Sequence, residues 1–192
     1  RLIITKSRTG SNNWLTWHGT FGANDYIALN LTSAKNYGGT GDTTFGGTSA
    51  SLPTSTFFTV GSDLNPSSAQ FVAYCFAPVA GYSSFGSYTG NGSATDGPFV
   101  YTGFRPRWIL IKASSTSSTW TLLDAARSSY NAADARLFAD TSEAEASNGN
   151  GATDFLSNGF KLRVGHVGIN SSGATYIYAA FAEHPFAYAR AR

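Results

Sequence analysis

Methionine is absent, cysteine occurs once, and charged side chains make up 12 % of the 192 residues. One cysteine excludes an intramolecular disulfide. Its place in the apolar run Phe71–Ala77 predicts that Cys75 is a small buried hydrophobe, as free cysteines usually are. The charged share is about half the usual ~25 %. The 13 Lys and Arg are scattered and the net charge is +2, so there is no basic stripe and nucleic acid is not an expected partner. No apolar run approaches the ~18 residues of a membrane span, and no charged-then-apolar leader opens the sequence. The lack of methionine predicts either a removed initiator or a mature piece of a longer polypeptide.

Glycine (21 residues), Ser, Thr and Asn are plentiful, and aromatics reach 15 % in short runs without helical spacing. Many turns, many aromatics and few charges describe a β protein with polar, uncharged loops. Within it lies an internal repeat. Arg1-Leu-Ile-Ile-Thr-Lys6 reads onto Arg107-Trp-Ile-Leu-Ile-Lys112, and Trp14 falls on Trp120, every pair 106 apart. Val60-Gly61 matches Val164-Gly165, Asn65 matches Asn170, and Ala69–Ala77 matches Ala174–Ala182 at nearly the same offset. Such drift reads as small loop insertions within one framework. We therefore divide the chain into a first copy over 1–86 and a second over 87–192, packed as one body.

The strands predicted in the first copy are Arg1–Lys6, Trp14–His18, Tyr26–Leu31, Thr56–Val60 and Gln70–Phe76, with a Gly/Thr/Ser-rich loop over Tyr37–Ser55. In the second copy they are Trp108–Lys112, Thr119–Asp124, Arg136–Phe138, Gly159–Val164 and Thr175–Phe181. Ala132–Ala146, rich in Ala, Asp and Glu, has the composition of a helical turn or two. Many short strands with turn signals between them point to an all-β sandwich of jelly-roll or lectin-like type, internally duplicated. Ser87–Phe104 reads as the opening strands of copy two and has no counterpart in copy one. That difference predicts an open sheet edge in the first copy, placed by this reading at Leu2–Thr5, with a contact near Arg1–Lys6 made either in an oligomer or with preceding segments of a longer polypeptide.

No constellation suits catalysis. His18, His166 and His184 lack a second His or Cys at ligand spacing, which argues against zinc. No Gly-x-Ser-x-Gly occurs, and the one close acidic pair, Glu143 and Glu145, lies in an Ala/Ser loop and reads as solvated. Neither cofactor nor metal is implied. Trp14 and Trp120, being equivalent, read as core, as does Trp17 opposite Leu123; Phe76 and Phe181 are expected buried as well. Tyr82, Phe85 and Tyr88, strung between glycines, are candidates for an exposed or intersubunit surface. Asp124 and Arg127 are candidate ligand contacts, with a strand-end ion pair as the plainer alternative.

Several motifs occur in order: Asp96-Gly97, Phe99, Tyr101-Thr-Gly-Phe-Arg-Pro106, Trp108–Lys112, Asp124 with Arg127, Phe155 with Asn158-Gly-Phe160, and Asn170 with Tyr176-Ile-Tyr-Ala179. Together they resemble a repeat of virion structural proteins of tailed bacteriophages, especially the tail-fibre and surface-appendage proteins of phages from aquatic bacteria. The resemblance is clearest from Tyr88 to Tyr188. In the first copy His18 and Phe21 replace Asp124 and Arg127, so any role of that pair belongs to the second copy. The resemblance implies a non-enzymatic structural component on the virion exterior, in a tail fibre or capsid-surface appendage. It also implies homo-oligomers and contact with either other virion proteins or the host surface. The alternative is a lectin-like module recognising a host cell-surface glycan.

Overall fold

The computed structural model describes residues 1–35 and 44–183. The loop expected over 37–55 is thus described only in part, and His184 and the end of the resemblance at Tyr188 lie outside the described residues. Twelve strands occur among the described residues: β1 (Leu2–Ser7), β2 (Leu15–His18), β3 (Ile27–Ala28), β4 (Phe71–Phe76), β5 (Ser83–Thr89), β6 (Phe99–Tyr101), β7 (Pro106–Ala113), β8 (Thr121–Asp124), β9 (Arg136–Leu137), β10 (Thr153–Leu156), β11 (Gly159–Leu162) and β12 (Thr175–Ala182). They form three antiparallel sheets, ordered β3-β2-β1-β4, β5-β12-β7-β8-β9 and β10-β11-β6, so the protein is an all-β sandwich.

The apolar runs beginning at Leu2 and Trp108 become the central strands of the first two sheets because both faces of each are covered. In β1, Leu2 and Ile4 face the second sheet, whereas Ile3 shares the opposite face with Trp17 and Cys75. In β7, Leu110 faces the first sheet, and Ile109 and Ile111 join Leu123, Phe155, Phe160 and Leu162 against the third. Each fully buried side chain of this kind contributes about 1.5–3 kcal/mol. Period-2 alternation is invisible here for that reason: a strand buried on both faces reads as a continuous apolar run.

The strands of the two large sheets pair in corresponding registers. Leu2 opposes His18 as Trp108 opposes Asp124, and Leu2 opposes Phe76 as Trp108 opposes Phe181. The hairpins share a further device. Lys6 Nζ donates to Asn12 O at 2.5 Å, and Lys112 Nζ donates to Ser118 O at 2.9 Å, each tying down the carbonyl six residues on. Lys112 is fully buried and also donates to Ala113 O and, across the halves, to Thr32 O (3.0 Å). Burial lowers its ammonium to about 8. Two more bonds cross the same seam: Trp120 Nε1 donates to Ala28 O (2.9 Å) and Lys35 N to Ser114 O (2.9 Å).

Some expectations need correction. Ala132–Ala146 holds no helix; Arg136 bonds Leu123 through β9 and Ala146 through an isolated bridge, so sheet pairing overrides the local composition. Of Tyr26–Leu31 only Ile27–Ala28 is strand, and Thr56–Val60 contributes a single bridge, Val60 to Phe45. Leu2–Thr5 is not an edge, because β1 is paired on both sides, to β2 and β4.

Candidate functional site

Among the described residues no strand pairs with the outer side of β4, which makes it an open edge of the first sheet. Gly19 N donates to Arg1 O and Arg8 N to Gln70 O, so odd-numbered β1 residues bond β2 and even-numbered ones bond β4. Phe71, Ala73 and Cys75 therefore turn their N–H and C=O groups outward. The strand Phe71-Val-Ala-Tyr-Cys-Phe76 contains no charge and no proline, the usual means by which an edge is kept from pairing. Tyr74 is 47 % and Phe76 37 % exposed, and Cys75 is exposed as well. The second sheet ends instead on β5, whose Phe85 and Tyr88 turn inward; no large apolar residue of β5 is exposed.

Beside β4, on the outer face of the first sheet, a cleft of about 790 Å³ opens to solvent. Arg1, Ile3, Trp17, Cys75 and Phe76 form its floor and one side, and the segment 53–58 forms the other. Phe57, on that segment, is 62 % exposed. The walls are apolar and hydroxyl-bearing, with Arg1 the one charged side chain.

The predicted site residues do not converge. Tyr82 and Phe85 both pack edge-on to Phe181 (5.9 and 5.8 Å), and Phe76 meets the same ring at 6.0 Å, so this aromatic group lies at the seam between sheets. Tyr88 is stacked on Tyr176 at 5.1 Å and donates to Ile169 O at 2.7 Å. Burial pushes its phenol well above the ordinary range, and its place is the core between the second and third sheets. Asp124 accepts from Arg107 Nε at 3.0 Å, while Arg127 pairs with Glu145; the expected partners each find another. Glu143 and Glu145 are exposed, as their loop suggested.

Four burial expectations are corrected: three lie on or beside β4, and the fourth is Phe181, which is half-buried among Phe76, Tyr82 and Phe85. Cys75 and Phe76 are exposed because no strand follows β4 in its sheet among the described residues, and Trp14 is half-buried, stacked on Tyr74 at 6.4 Å. Trp120, its counterpart, is 2 % exposed. Sequence reasoning missed Tyr74 and Phe57. The absence of charge between Gln70 and Pro78 was the available signal, but it is shared with the covered run Tyr176–Ala182.

His18 is buried with Nε2 3.2 Å from Tyr178 O and Nδ1 2.9 Å from Thr20 Oγ1, an arrangement that suits the neutral ring protonated on Nε2. Desolvation lowers its pKa to about 4. Desolvation raises Asp140, which accepts from Trp120 N (3.1 Å), and lowers His166. Among the described residues no three His, Cys, Asp or Glu side chains gather as metal ligands would, and no helix is long and apolar enough to cross a membrane.

The chain belongs to the family described as a domain of unknown function, DUF7483, which matches residues 1–185. No curated protein and no solved structure shows significant similarity to it.

Proposed function

We propose that this protein is a non-enzymatic structural component of a bacteriophage virion, part of a tail fibre or capsid-surface appendage, that assembles with other virion proteins through the open edge of β4. The observation that carries the reading is the uncharged β4, whose outer side meets no strand among the described residues, with exposed Tyr74 and Phe76 beside an open cleft. Native proteins cover or charge such edges, and an edge left bare is a template for another chain. The motifs from Asp96 to Ala179 supply the virion placement, and the matched registers of the two large sheets support descent of both halves from one duplicated unit.

The glycan-binding alternative asks for an open aromatic platform. Trp17 and Trp120 are buried, Trp108 packs on Phe181 at 5.5 Å, and Trp14 is covered on one side by Tyr74, which favours the structural reading. Antibody labelling of purified particles, read by electron microscopy, tests the placement. Label on an external appendage is the expected outcome; particles that lack the chain altogether would refute it.

A further inference from the structure

In the second half, residues 83–104 cover a set of positions whose counterparts in the first half are mostly exposed or border an open cleft. β5 adds to β12 along seven register pairs, from Thr175–Thr89 to Phe181–Ser83. Gly90 N donates to Ala174 O and Ala182 N to Tyr82 O, so the β12 residues bonded to β5 are Tyr176, Tyr178 and Ala180. These three are buried. Their equivalents, 105 residues earlier, are Phe71, Ala73 and Cys75, the outward-bonding residues of β4; Ala73 and Cys75 are exposed and Phe71 is half-buried. The same holds beyond the strand. Val100 and Phe104 pack with Ile109 and Ala180 in the core, whereas Ile3 and Cys75 border the open cleft. Asn170 is buried, donating to Asn91 Oδ1 and Ser93 O and accepting from Asn91 N, whereas Asn65 is exposed.

We infer that the β4 edge and its cleft accept a donor segment of a partner polypeptide with the chemistry of residues 83–104: an extended, uncharged Ser/Gly/aromatic strand that pairs with Phe71–Phe76, followed by a turn that lays apolar side chains into the cleft. Charge supports this occupant. β4 carries none and β5, Ser-Ser-Phe-Gly-Ser-Tyr-Thr, carries none, so added strand hydrogen bonds meet no repulsion. Size supports it also: Ser83–Phe104 is 22 residues, within the roughly 20–30 residues that one side of a stable interface uses. The two acceptor sites differ at one point. Opposite Gly86, Tyr178 fills the space, and a Cβ on Gly86 would come within 2.8–3.0 Å of its ring and hydroxyl. The counterpart of Tyr178 is Ala73, so the first-half site accepts a side chain there that the second-half site resists.

This inference rests on the assembly reading above and names its partner's chemistry; its failure would leave the virion placement, tested by labelling, untouched. The experiment titrates the full chain into a fluorescent peptide of sequence 83–104 carrying Gly86→Val, read by anisotropy. Saturable one-to-one binding, with Kd on the order of 10 μM, is the expected result. Ala73→Pro or Cys75→Pro in the protein removes an outward N–H without touching the β1 ladder, as proline is tolerated on the free side of an edge strand. Either variant, shown folded by an unchanged near-ultraviolet spectrum, should weaken binding by about tenfold or more. The proposal is overturned if no saturation appears below about 1 mM, or if binding survives both proline variants. It is equally overturned if the chain alone forms a dimer that those variants abolish, because a second copy would then be the occupant.

Discussion

β4 and β12 are nearly the same strand in two settings. Both are apolar, both pair with the central strand of their sheet in one register, and both reach an aromatic, Phe76 or Phe181, at the same point. Yet Ala180 is fully buried and Cys75 is exposed. The difference lies not in either strand but in the crossing that follows β4. Over 77–82 the chain leaves the first sheet, and as β5 it lies against β12 of the second. One segment serves one half, and the other half is left with an acceptor edge. The exposure of these two strands is thus decided by which half receives the connecting strand.

The largest expected test of that contrast is the tryptophan pair. Trp120→Ala removes a buried ring and its bond to Ala28 O and should cost about 3–5 kcal/mol in chemical denaturation. Trp14→Ala loses a half-exposed stack on Tyr74 and should cost roughly 1 kcal/mol. Equal losses would mean that the two halves are equally finished.

The next effect is set by pH at His18, whose counterpart is Asp124. The folded pKa of about 4 lies below the ordinary 6.5, so between those values the unfolded chain binds a proton that the folded chain refuses. Protons then favour unfolding: stability falls as pH drops from 6.5 toward 4, and the loss is complete below the folded value. The contribution should reach about 3 kcal/mol near pH 4, read as the difference between wild type and His18→Gln across a pH series. A parallel pH profile for the two proteins would contradict the buried neutral ring.

The lysine ties come third. Lys112→Met strips three carbonyls, those of Ala113 and Ser118 buried, of their donor and should cost about 2 kcal/mol, whereas Lys6→Met, on a solvent-facing hairpin, should stay within about 0.5 kcal/mol. The smallest perturbation is chemical. Cys75 should react with a water-soluble thiol reagent in the native protein, and Ala180→Cys in a Cys75→Ser background should react at least about a hundredfold more slowly. Comparable rates would erase the distinction between the strands.

Much of the framework was readable from residues. The strands around Ile3, Trp17, Val72, Ile109, Leu122 and Ile177 were placed within a few residues, because β-branched and aromatic runs bounded by Ser, Gly and Asn leave little else to form. The need for an open edge in the first half followed from Ser87–Phe104 lacking a counterpart. Its location did not. Placing the edge at Leu2–Thr5 assumed that the connecting strand joins the one that follows it in sequence, β7, whereas β5 pairs with β12, which comes some 90 residues later. Local sequence holds no record of that choice. Cys75, Phe76 and Trp14 were misplaced for the same cause, and Tyr88 for the opposite one: flanking glycines suggested exposure, but the ring is clamped between Tyr176 and Phe160.

The bonds that cross the seam have a thermodynamic consequence. Trp120 donates to Ala28, Lys112 to Thr32 and Lys35 to Ser114, so each half completes the hydrogen bonding of the other. Neither can melt and leave its neighbour satisfied. A calorimetric scan should therefore show one endotherm, not two, with an enthalpy near 60 °C of about 0.7 kcal/mol per residue summed over the whole chain and a van't Hoff value that matches it.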